Sequence, residues 1–254
     1  MLKNEVFGQS GGGKIKMKDM TVIITMAGLG LRFRKAGYKC PKYMIEAKGR
    51  TLFEWSMDSL TGYNDYVSKY VFVVRKEDET ENFIKEKMLK YGISDVEVIE
   101  IDYLTDGQAT TCMSAIPHCN QDNAIMVYNI DIYVEPNEMK YEDISGDGHI
   151  PCFYADGEHW SFVKLDENGK VTEVREKVRI SDNCTLGAYY FSSARLYKDL
   201  YEEYYRDDSK LEKNEKYIAL LYNFMIEKGM PVTISIVNEK KYMFWGLLRN
   251  CKCF

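Results

Sequence analysis

The residues that decide the fold are 21–42, which read TVIITMAGLGLRFRKAGYKCPK. The run begins with five apolar or β-branched residues, 21–25, and this composition predicts a buried strand. Gly28 and Gly30 follow shortly after it. Glycine allows a tight turn and a close approach of the backbone to a ligand. The stretch therefore predicts a strand whose carboxyl end opens into a ligand-binding loop, as in the sheets of α/β proteins.

Two of the cations in the same stretch are candidates for binding phosphate. Arg32 stands inside the glycine loop, and Lys42 follows Pro41, which stiffens the chain before it. A guanidinium beside several backbone N–H groups suits a highly charged phosphate, and an ammonium adds a compact second charge. Either cation alone would fit a solvated loop, whereas both cations after a buried strand predict a triphosphate site. Phe33 stands where a dinucleotide fingerprint needs its third glycine, which disfavours a dinucleotide ligand.

The first half of the chain alternates strand and helix patterns. Further strands are predicted at residues 69–75, 95–101 and 124–134, and helices at 51–63, 78–92 and 107–116. The last of these strands, AIMVYNIDIYV, delivers Asp131 at its carboxyl end. The alternation predicts a mostly parallel, Rossmann-like mixed sheet flanked by helices. Asp131 and the glycine loop are then expected to meet at one edge of this sheet.

The second half changes to antiparallel patterns. Strands are predicted at residues 149–155, 160–177 and 186–193, with DENGK (166–170) as a hairpin turn, and then a helix at 214–229 and a strand at 231–237. No linker composition divides the chain, so we expect a single α/β domain over residues 21–254. Residues 1–20 are expected to be a flexible leader. Within it, residues 8–14 have P-loop spacing, but Ile15 stands where that motif needs Ser or Thr.

Composition and charge exclude several classes of function. The 34 Lys and Arg residues are outnumbered by 39 Asp and Glu residues, and the net charge of -5 argues against non-specific binding to nucleic acid. No apolar run approaches the roughly 18 residues of a membrane span. The seven cysteines are scattered, without the paired spacing of a zinc site, and fit reduced thiols. These features predict a cytoplasmic protein that binds neither nucleic acid nor membrane.

Residues 26–60, MAGLGLRFRKAGYKCPKYMIEAKGRTLFEWSMDSL, carry a resemblance to a known family. The stretch resembles the opening of the sugar-phosphate nucleotidylyltransferases, or nucleoside-diphosphate-sugar pyrophosphorylases, of the type found in capsule and surface-polysaccharide gene clusters. The similarity continues discontinuously from Val22 to Gly246. It implies the nucleotide-diphospho-sugar transferase fold. It also implies a Mg²⁺-dependent transfer of a nucleoside monophosphate from a nucleoside triphosphate to a phosphorylated small acceptor, a sugar 1-phosphate or similar, with release of pyrophosphate.

The resemblance assigns the glycine loop to the nucleotide. The residues that it implies as backbone contacts of the nucleoside triphosphate are Ala27, Gly28, Leu29 and Gly30. Arg32 is implied as a catalytic residue on the β- and γ-phosphate oxygens, and Lys42 as a catalytic residue on the reacting α-phosphate. DGQATT, residues 106–111, resembles the base-reading segment and implies Gly107 and Gln108 near the nucleobase. The local alternative for Gln108 is a buried or helix-capping side chain.

Two further motifs are predicted to bind the metal and the acceptor. YNIDIYV, residues 128–134, resembles the strand whose carboxylate holds Mg²⁺, here Asp131, and this ion needs only one or two protein carboxylates. The alternative is that Asp131 only ends a strand. Residues 174–191 resemble the antiparallel acceptor-binding part. They imply that Glu176 contacts acceptor hydroxyls or amines, that Lys177 binds the acceptor phosphate as a catalytic residue, and that Gly187 leaves room. Locally, Glu176 and Lys177 could also be solvated charges at a hairpin edge.

One departure from the family puts a second metal ligand in doubt. Many relatives carry either a second metal-binding aspartate or a Trp-Gly-Thr-Pro segment near the end of the domain. Residues 242–250 here read YMFWGLLRN and keep only Trp245 and Gly246. Glu215 and Glu239 are weak candidates for a second carboxylate. CTP is slightly favoured as the nucleotide, GTP and UTP stay open, and so do the acceptor and the oligomeric state.

Other functions stay open as well. The acceptor phosphate is already ionised at neutral pH, so the reaction needs no histidine base, and His118, His149 and His159 lie away from the motifs. A glycosyltransferase of related fold, using a nucleotide-sugar donor, would generally present an Asp-x-Asp motif where residues 129–133 hold one aspartate. A non-catalytic nucleotide-binding domain would bind a triphosphate without forming a product.

Overall fold

Ten strands of the described residues form one mixed sheet at the centre of the protein. A computed structural model describes residues 19–238 and 241–244. The strands are β1 (Met20–Thr25), β2 (Glu46–Ala47), β3 (Arg50–Thr51), β4 (Val67–Arg75), β5 (Val96–Ile101), β6 (Ala124–Asn129), β7 (Ile132–Val134), β8 (Gly148–Tyr154), β9 (Ser161–Leu165), β10 (Val171–Glu176), β11 (Asn183–Thr185), β12 (Ala188–Phe191), β13 (Val232–Ile236) and β14 (Tyr242–Phe244). The α-helices are α1 (Leu31–Lys35), α2 (Leu52–Asp58), α3 (Glu81–Lys90), α4 (Gln108–Ala115), α5 (Ala194–Tyr204) and α6 (Ile218–Glu227).

The sheet has a parallel half and a mainly antiparallel half. Its strand order is β10-β9-β11-β8-β12-β6-β1-β4-β5, and β13 pairs with β8 in parallel. β6, β1, β4 and β5 run parallel to one another, whereas β12 is antiparallel to β6 and begins the second half. This arrangement confirms the predicted single α/β domain with a mixed sheet that is mostly parallel at its core.

Both faces of the central strand β1 are buried, which explains its unbroken apolar run. Ile23 belongs to the hydrophobic layer on one face, which α4, α5 and α6 cover. Val22 and Ile24 belong to the layer on the other face, which α2 and α3 cover. α2 begins with a capping box in which Thr51 accepts from the Glu54 backbone N–H and Glu54 accepts from the Thr51 N–H. The layers hold the carboxyl ends of the parallel strands in fixed positions.

The predicted strand over residues 124–134 is divided in two. β6 ends at Asn129, Ile130 and Asp131 form a turn, and β7 leaves the main sheet to pair with β14. The expectation of one strand was therefore wrong at this point. Two hydrogen bonds fix the turn: the Tyr128 hydroxyl donates to the Ile132 carbonyl at 2.8 Å, and the Val134 N–H donates to the Ser59 hydroxyl at 2.9 Å. Asp131 is consequently presented by a turn just beyond a buried strand.

The helices of the structure also differ from the prediction at three points. α1 and α5 were not predicted, and the helix expected from residue 214 begins only at Ile218. Residues 214–217 stay outside the helix because they pack along the segment before α4, where the Lys216 N–H donates to the Asp106 carbonyl at 2.8 Å.

Several sequence predictions concern residues outside the described part of the chain. The residues in question are 1–18, Glu239, Trp245 and Gly246. The leader and the Trp-Gly element therefore stay predictions. Among the described residues, no helix combines the length and the apolar content that crossing a bilayer requires.

Candidate active site

A cavity of about 870 Å³ opens at the carboxyl ends of β1 and β6. Its walls come from the loop after β1, the amino end of α4, the turn after β6 and the antiparallel half of the sheet. Every predicted site residue except Lys177 lines it: Ala27, Gly28, Leu29, Gly30, Arg32, Lys42, Gly107, Gln108, Asp131, Glu176 and Gly187. Residues far apart in the chain therefore meet in one space whose volume suits a small-molecule ligand.

The glycine loop, residues 27–32, forms the wall of this cavity that is predicted to bind phosphate. Gly30 has φ 58°, a left-handed conformation that glycine adopts without a steric penalty. The backbone N–H groups of residues 27–32 donate to no acceptor within the described part of the chain. Phe33 is buried beside Ile45 and Leu52 and so anchors the short helix that carries the exposed Arg32. A row of free N–H groups beside a guanidinium is a suitable cradle for an anion.

Lys42 and Asp131 form an ion pair within the cavity. The Lys42 ammonium lies 2.9 Å from the Asp131 carboxylate, and their side chains are 21% and 22% exposed. Lys42 opens a short 3-10 turn directly after Pro41, and Asp131 occupies the turn after β6. The two residues predicted to act on the triphosphate are thus neighbours, and each neutralises the other's charge.

The Asp131 carboxylate is also the kind of ligand that Mg²⁺ takes. This ion prefers oxygen ligands and usually combines one or two carboxylates with substrate phosphates and water. Among the described residues, no group of three or more His, Cys, Asp and Glu side chains is arranged to hold a metal. Glu215, one of the two candidates for a second carboxylate, lines the cavity, and Glu239 lies outside the described residues. A carboxylate facing an anion cradle fits a metal that is shared between protein and substrate.

The floor of the cavity is a cluster of polar side chains. The Gln108 amide donates to the Thr25 hydroxyl at 3.2 Å and to the Asn129 side-chain oxygen. A Cβ on Gly187, which has φ 70°, would lie 2.5 Å from the Asn129 amide nitrogen. The cluster therefore ties the ends of β1 and β6 to the first turn of α4, and it leaves no space for a side chain at Gly187. Gln108 is hydrogen-bonded within the protein, and its role at the nucleobase stays a prediction.

Gly107 has a separate structural reason to be glycine. Its φ is 143°, and a Cβ there would lie 2.4 Å from the Lys216 carbonyl oxygen. The backbone of residues 214–217 thus lies directly against the predicted base-reading segment. The cavity wall at this point is built from two segments of the chain.

Glu176 lies at the other end of the cavity and is only 8% exposed. Its carboxylate accepts a hydrogen bond from the Ser161 hydroxyl and pairs with the Lys177 ammonium at 3.2 Å. Lys177 also donates to the Tyr217 hydroxyl at 3.0 Å. Burial lowers the pKa of Lys177, but the bond to Tyr217 and the charge of Glu176 outweigh it and raise this pKa. Glu176 is a buried, paired carboxylate, so it is not a solvated hairpin-edge charge.

Lys177 is the one predicted residue that does not line the cavity. Its side chain contacts two residues that do, Glu176 and Tyr217. Its backbone has φ 54°, which is uncommon for a residue other than glycine. Left-handed residues of this kind concentrate at functional sites, where the surrounding structure holds them.

His159 lines the cavity, although no sequence motif surrounds it. Its ring lies 4.2 Å from the Trp160 ring, and Trp160 packs edge-on against Phe153 at 5.0 Å. Gly157 has φ 94°, and a Cβ there would lie 3.0 Å from the His159 Nδ1 atom. His159 thus lies away from the sequence motifs, and the fold brings it to the cavity.

Other residues of the cavity were not predicted as site residues. These are Thr25, Asp106, Asn129, Ser161, Thr185, Tyr189 and Tyr217. Four of them stand within quoted motifs: Asp106 directly precedes Gly107, Asn129 stands two positions before Asp131, and Thr185 and Tyr189 belong to the stretch 174–191. The others belong to segments that only the fold brings together.

Comparison with solved structures identifies proteins of the same architecture. A nucleoside-diphosphate-sugar pyrophosphorylase from Vibrio cholerae RC9 is 35% identical to this chain, with a TM-score of 0.82, over 90% of this chain and 97% of its own. An inositol-1-phosphate CTP transferase from T. maritima is 16% identical, with a TM-score of 0.74, over 94% of this chain and 93% of its own. HddC from Yersinia pseudotuberculosis, complexed with GMP-PN, is 16% identical, with a TM-score of 0.62, over 91% and 95%.

The last two similarities show the fold, and the first shows the family. The sequence matches no protein-family model, and a search of curated proteins gives no match. More than a third of the aligned residues are identical to the Vibrio cholerae protein, and the alignment spans nearly all of both chains. The chain therefore belongs to the nucleoside-diphosphate-sugar pyrophosphorylases and is a nucleotidylyltransferase.

Proposed function

We propose that the protein transfers a nucleoside monophosphate from a nucleoside triphosphate to a phosphorylated small acceptor, with Mg²⁺ as cofactor, and releases pyrophosphate. One observation carries the proposal: the N–H groups of the glycine loop, the Lys42–Asp131 pair and the Glu176 carboxylate face a single cavity. A triphosphate needs the first two features, and an acceptor with hydroxyl groups needs the third. The shared space allows both substrates to be bound at once.

The reaction is a displacement at the α-phosphorus. An oxygen of the acceptor phosphate forms a bond to that phosphorus, the bond to the bridging oxygen of the β-phosphate breaks, and pyrophosphate leaves with the electron pair. The attacking oxygen is already ionised at neutral pH, so no protein base has to remove a proton. The protein contributes positioning and charge neutralisation, which dominate phosphoryl-type transfers.

Each charged residue has a defined part in this scheme. The N–H groups of residues 27–32 and the Arg32 guanidinium bind the β- and γ-phosphates. Lys42 exchanges its Asp131 partner for the α-phosphate, where negative charge increases as the transition state forms. Asp131, released from Lys42, is the residue that would hold Mg²⁺. When bound, this ion supplies further positive charge to the triphosphate oxygens.

The acceptor end supports a polyol or similar phosphate. Glu176 and Ser161 offer polar groups for hydroxyls, while the rings of His159, Trp160 and Tyr189 provide an apolar wall. The proposed acceptor is accordingly a sugar 1-phosphate or a related compound. The names of the relatives support this choice, since one makes a nucleoside-diphosphate sugar and another uses inositol 1-phosphate.

The nucleotide and the cellular role are narrower proposals. CTP is slightly favoured, because one structural neighbour is a CTP transferase, and GTP or UTP are the alternatives, since another neighbour is complexed with GMP-PN. We place the reaction in the cytoplasm, where nucleoside triphosphates are available, as a supply step for surface-polysaccharide precursors.

The proposal is tested by incubating the protein and Mg²⁺ with CTP, GTP, UTP or ATP and a panel of phosphorylated acceptors. Pyrophosphate release and the mass of the product are measured. One pair should give a nucleotide-activated product, and Asp131→Asn should reduce its rate by about a hundredfold or more. Asp122→Asn is the matched control, because Asp122 forms a 2.9 Å ion pair with Arg195 at the surface. Triphosphate binding without product across the panel, or consumption of a nucleotide sugar as donor, would contradict the proposal.

A further inference from the structure

Residues 214–217, here called the 214–217 segment, connect the two ends of the cavity. Asn214, Glu215 and Tyr217 line the cavity. Lys213 and Asn214 both have left-handed backbones, with φ 52° and 61°, so the chain turns sharply where the segment begins. The remaining residues, 215–217, stay non-helical until α6 begins. Its two neighbours are the predicted base-reading segment on one side and the acceptor lysine on the other.

On the nucleotide side the segment is fixed by its backbone and by Lys216. The Lys216 N–H donates to the Asp106 carbonyl at 2.8 Å, and the Ala109 N–H donates to the Lys216 carbonyl at 3.0 Å. The Lys216 ammonium lies 2.9 Å from the Asp106 carboxylate. Gly107 allows this close approach, as its missing side chain leaves room for the Lys216 carbonyl. The position of Tyr217 is therefore set by contacts with the nucleotide-binding half.

On the acceptor side the next residue, Tyr217, holds Lys177. The Tyr217 hydroxyl accepts from the Lys177 ammonium at 3.0 Å, and the ammonium lies 4.8 Å from the centre of the Tyr217 ring. The Tyr217 carbonyl is itself fixed by the Tyr205 hydroxyl at 2.7 Å. The second partner of Lys177 is Glu176 at 3.2 Å. The Lys177 side chain thus contacts the cavity lining through Glu176 and Tyr217.

We propose that Tyr217 is a positioning residue that holds Lys177 at the acceptor end, and that the 214–217 segment transmits the geometry of the nucleotide end to it. This inference rests on the proposed function, because it assigns Lys177 to the acceptor. Two consecutive residues, Lys216 and Tyr217, contact opposite substrate sites. A substitution at Lys216 should therefore change the binding of the acceptor, although Lys216 lies on the nucleotide side.

The kinetic test uses Tyr217→Phe, Lys177→Met and the double variant. Losing a hydrogen bond to a charged group weakens binding about tenfold. Tyr217→Phe should therefore raise the KM of the acceptor about tenfold. The KM of the triphosphate and kcat should change by less than about twofold, since Lys177 acts in binding. If Tyr217 acts through Lys177, the double variant is no worse than Lys177→Met alone. Effects that multiply in the double variant would overturn the inference.

The link to the nucleotide side is tested with Lys216→Met. This change should raise the KM of the acceptor about threefold, as expected for a partly exposed ion pair, and should have no such effect when Tyr217→Phe is already present. Lys228→Met is the matched control, because Lys228 also combines a 2.9 Å ion pair, with Glu203, and a ring contact, with Phe224, away from the cavity. An unchanged acceptor KM in Lys216→Met would refute the transmission.

A second measurement does not depend on turnover. The rate at which acetic anhydride acetylates Lys177 is followed by peptide mass spectrometry in the wild-type protein and in Tyr217→Phe. The variant should react several times faster, because Tyr217 no longer restrains the amine. Tyr66→Phe, which loses a 2.7 Å bond to Glu142, should leave the Lys177 rate unchanged. If no acceptor pair turns over but this difference appears, the proposed function fails and the positioning by Tyr217 stands. Equal acetylation rates would refute the positioning.

Discussion

Replacing Lys42 by Met separates stability from catalysis at the candidate site. The substitution keeps most of the side-chain volume and removes the ammonium that lies 2.9 Å from Asp131. Both side chains are about one-fifth exposed, and water therefore screens the pair. Ion pairs with such exposure contribute about 1 kcal/mol or less to the free energy of unfolding. We expect the variant to fold, with a small loss of stability.

The effect on the reaction should be much larger. Lys42 is proposed to move from Asp131 to the α-phosphate, where charge develops in the transition state. Removal of one such preorganised donor costs about 3 kcal/mol in the activation barrier, or about a hundredfold in rate. The loss should fall mainly on kcat, because the interaction is stronger in the transition state than in the ground state. Arg32 still binds the outer phosphates, so the KM of the triphosphate should change less.

The assay measures pyrophosphate release at saturating substrates, together with urea unfolding of the same preparations. Lys69→Met is the matched control, since Lys69 also forms a partly exposed ion pair, with Glu97, but outside the cavity. Both variants should lose similar small amounts of stability, and only Lys42→Met should lose turnover. Pyrophosphate release by Lys42→Met at the wild-type rate would refute the assigned role. A loss of rate that merely follows the fraction of unfolded protein would refute it too.

The fold and the cavity floor yield two more predictions. In urea unfolding, Gly187→Ala should destabilise the protein by about 2 kcal/mol more than Gly169→Ala. Both glycines have positive φ, but only at Gly187 would the added Cβ lie close to Asn129. Equal losses in the two variants would contradict the close contact with Asn129. Burial lowers the pKa of His149 to about 4, below the usual value near 6.5 in the unfolded chain. The unfolded state therefore binds more protons than the folded state between these two pH values. The contribution of His149 to the free energy of unfolding is fully present above pH 6.5 and falls by about 3 kcal/mol as the pH decreases to 4. Unfolding midpoints of His149→Gln should lack this fall, and those of His118→Gln should keep it.

The parallel half of the fold could be predicted from the sequence because its signals are local. β1 is apolar on both faces, and Gly28 and Gly30 follow it within a few residues. The placement of Lys42 near Asp131 follows from the rule that parallel strands share their carboxyl edge. The structure places these two groups 2.9 Å apart.

The division of residues 124–134 could not be predicted, because both parts are apolar and β-branched. Periodicity gives no sign that the chain changes sheets at Asp131. The change depends on tertiary partners, namely the Ser59 hydroxyl that accepts from Val134 and the β14 strand that pairs with β7. Local propensity is overridden here by contacts with residues more than 70 positions away.

The acceptor end is harder to predict than the phosphate end for a physical reason. A phosphate is recognised mainly by consecutive backbone N–H groups, so the residues of its site are close together in the sequence. The acceptor end combines side chains from β9, β10, β11 and the 214–217 segment, and of these only β10 and β11 belong to a stretch with a motif, residues 174–191. His159, Ser161 and Tyr217 were missed for this reason. Since these residues lie outside the glycine loop, substitutions among them can change the acceptor while the triphosphate cradle stays intact.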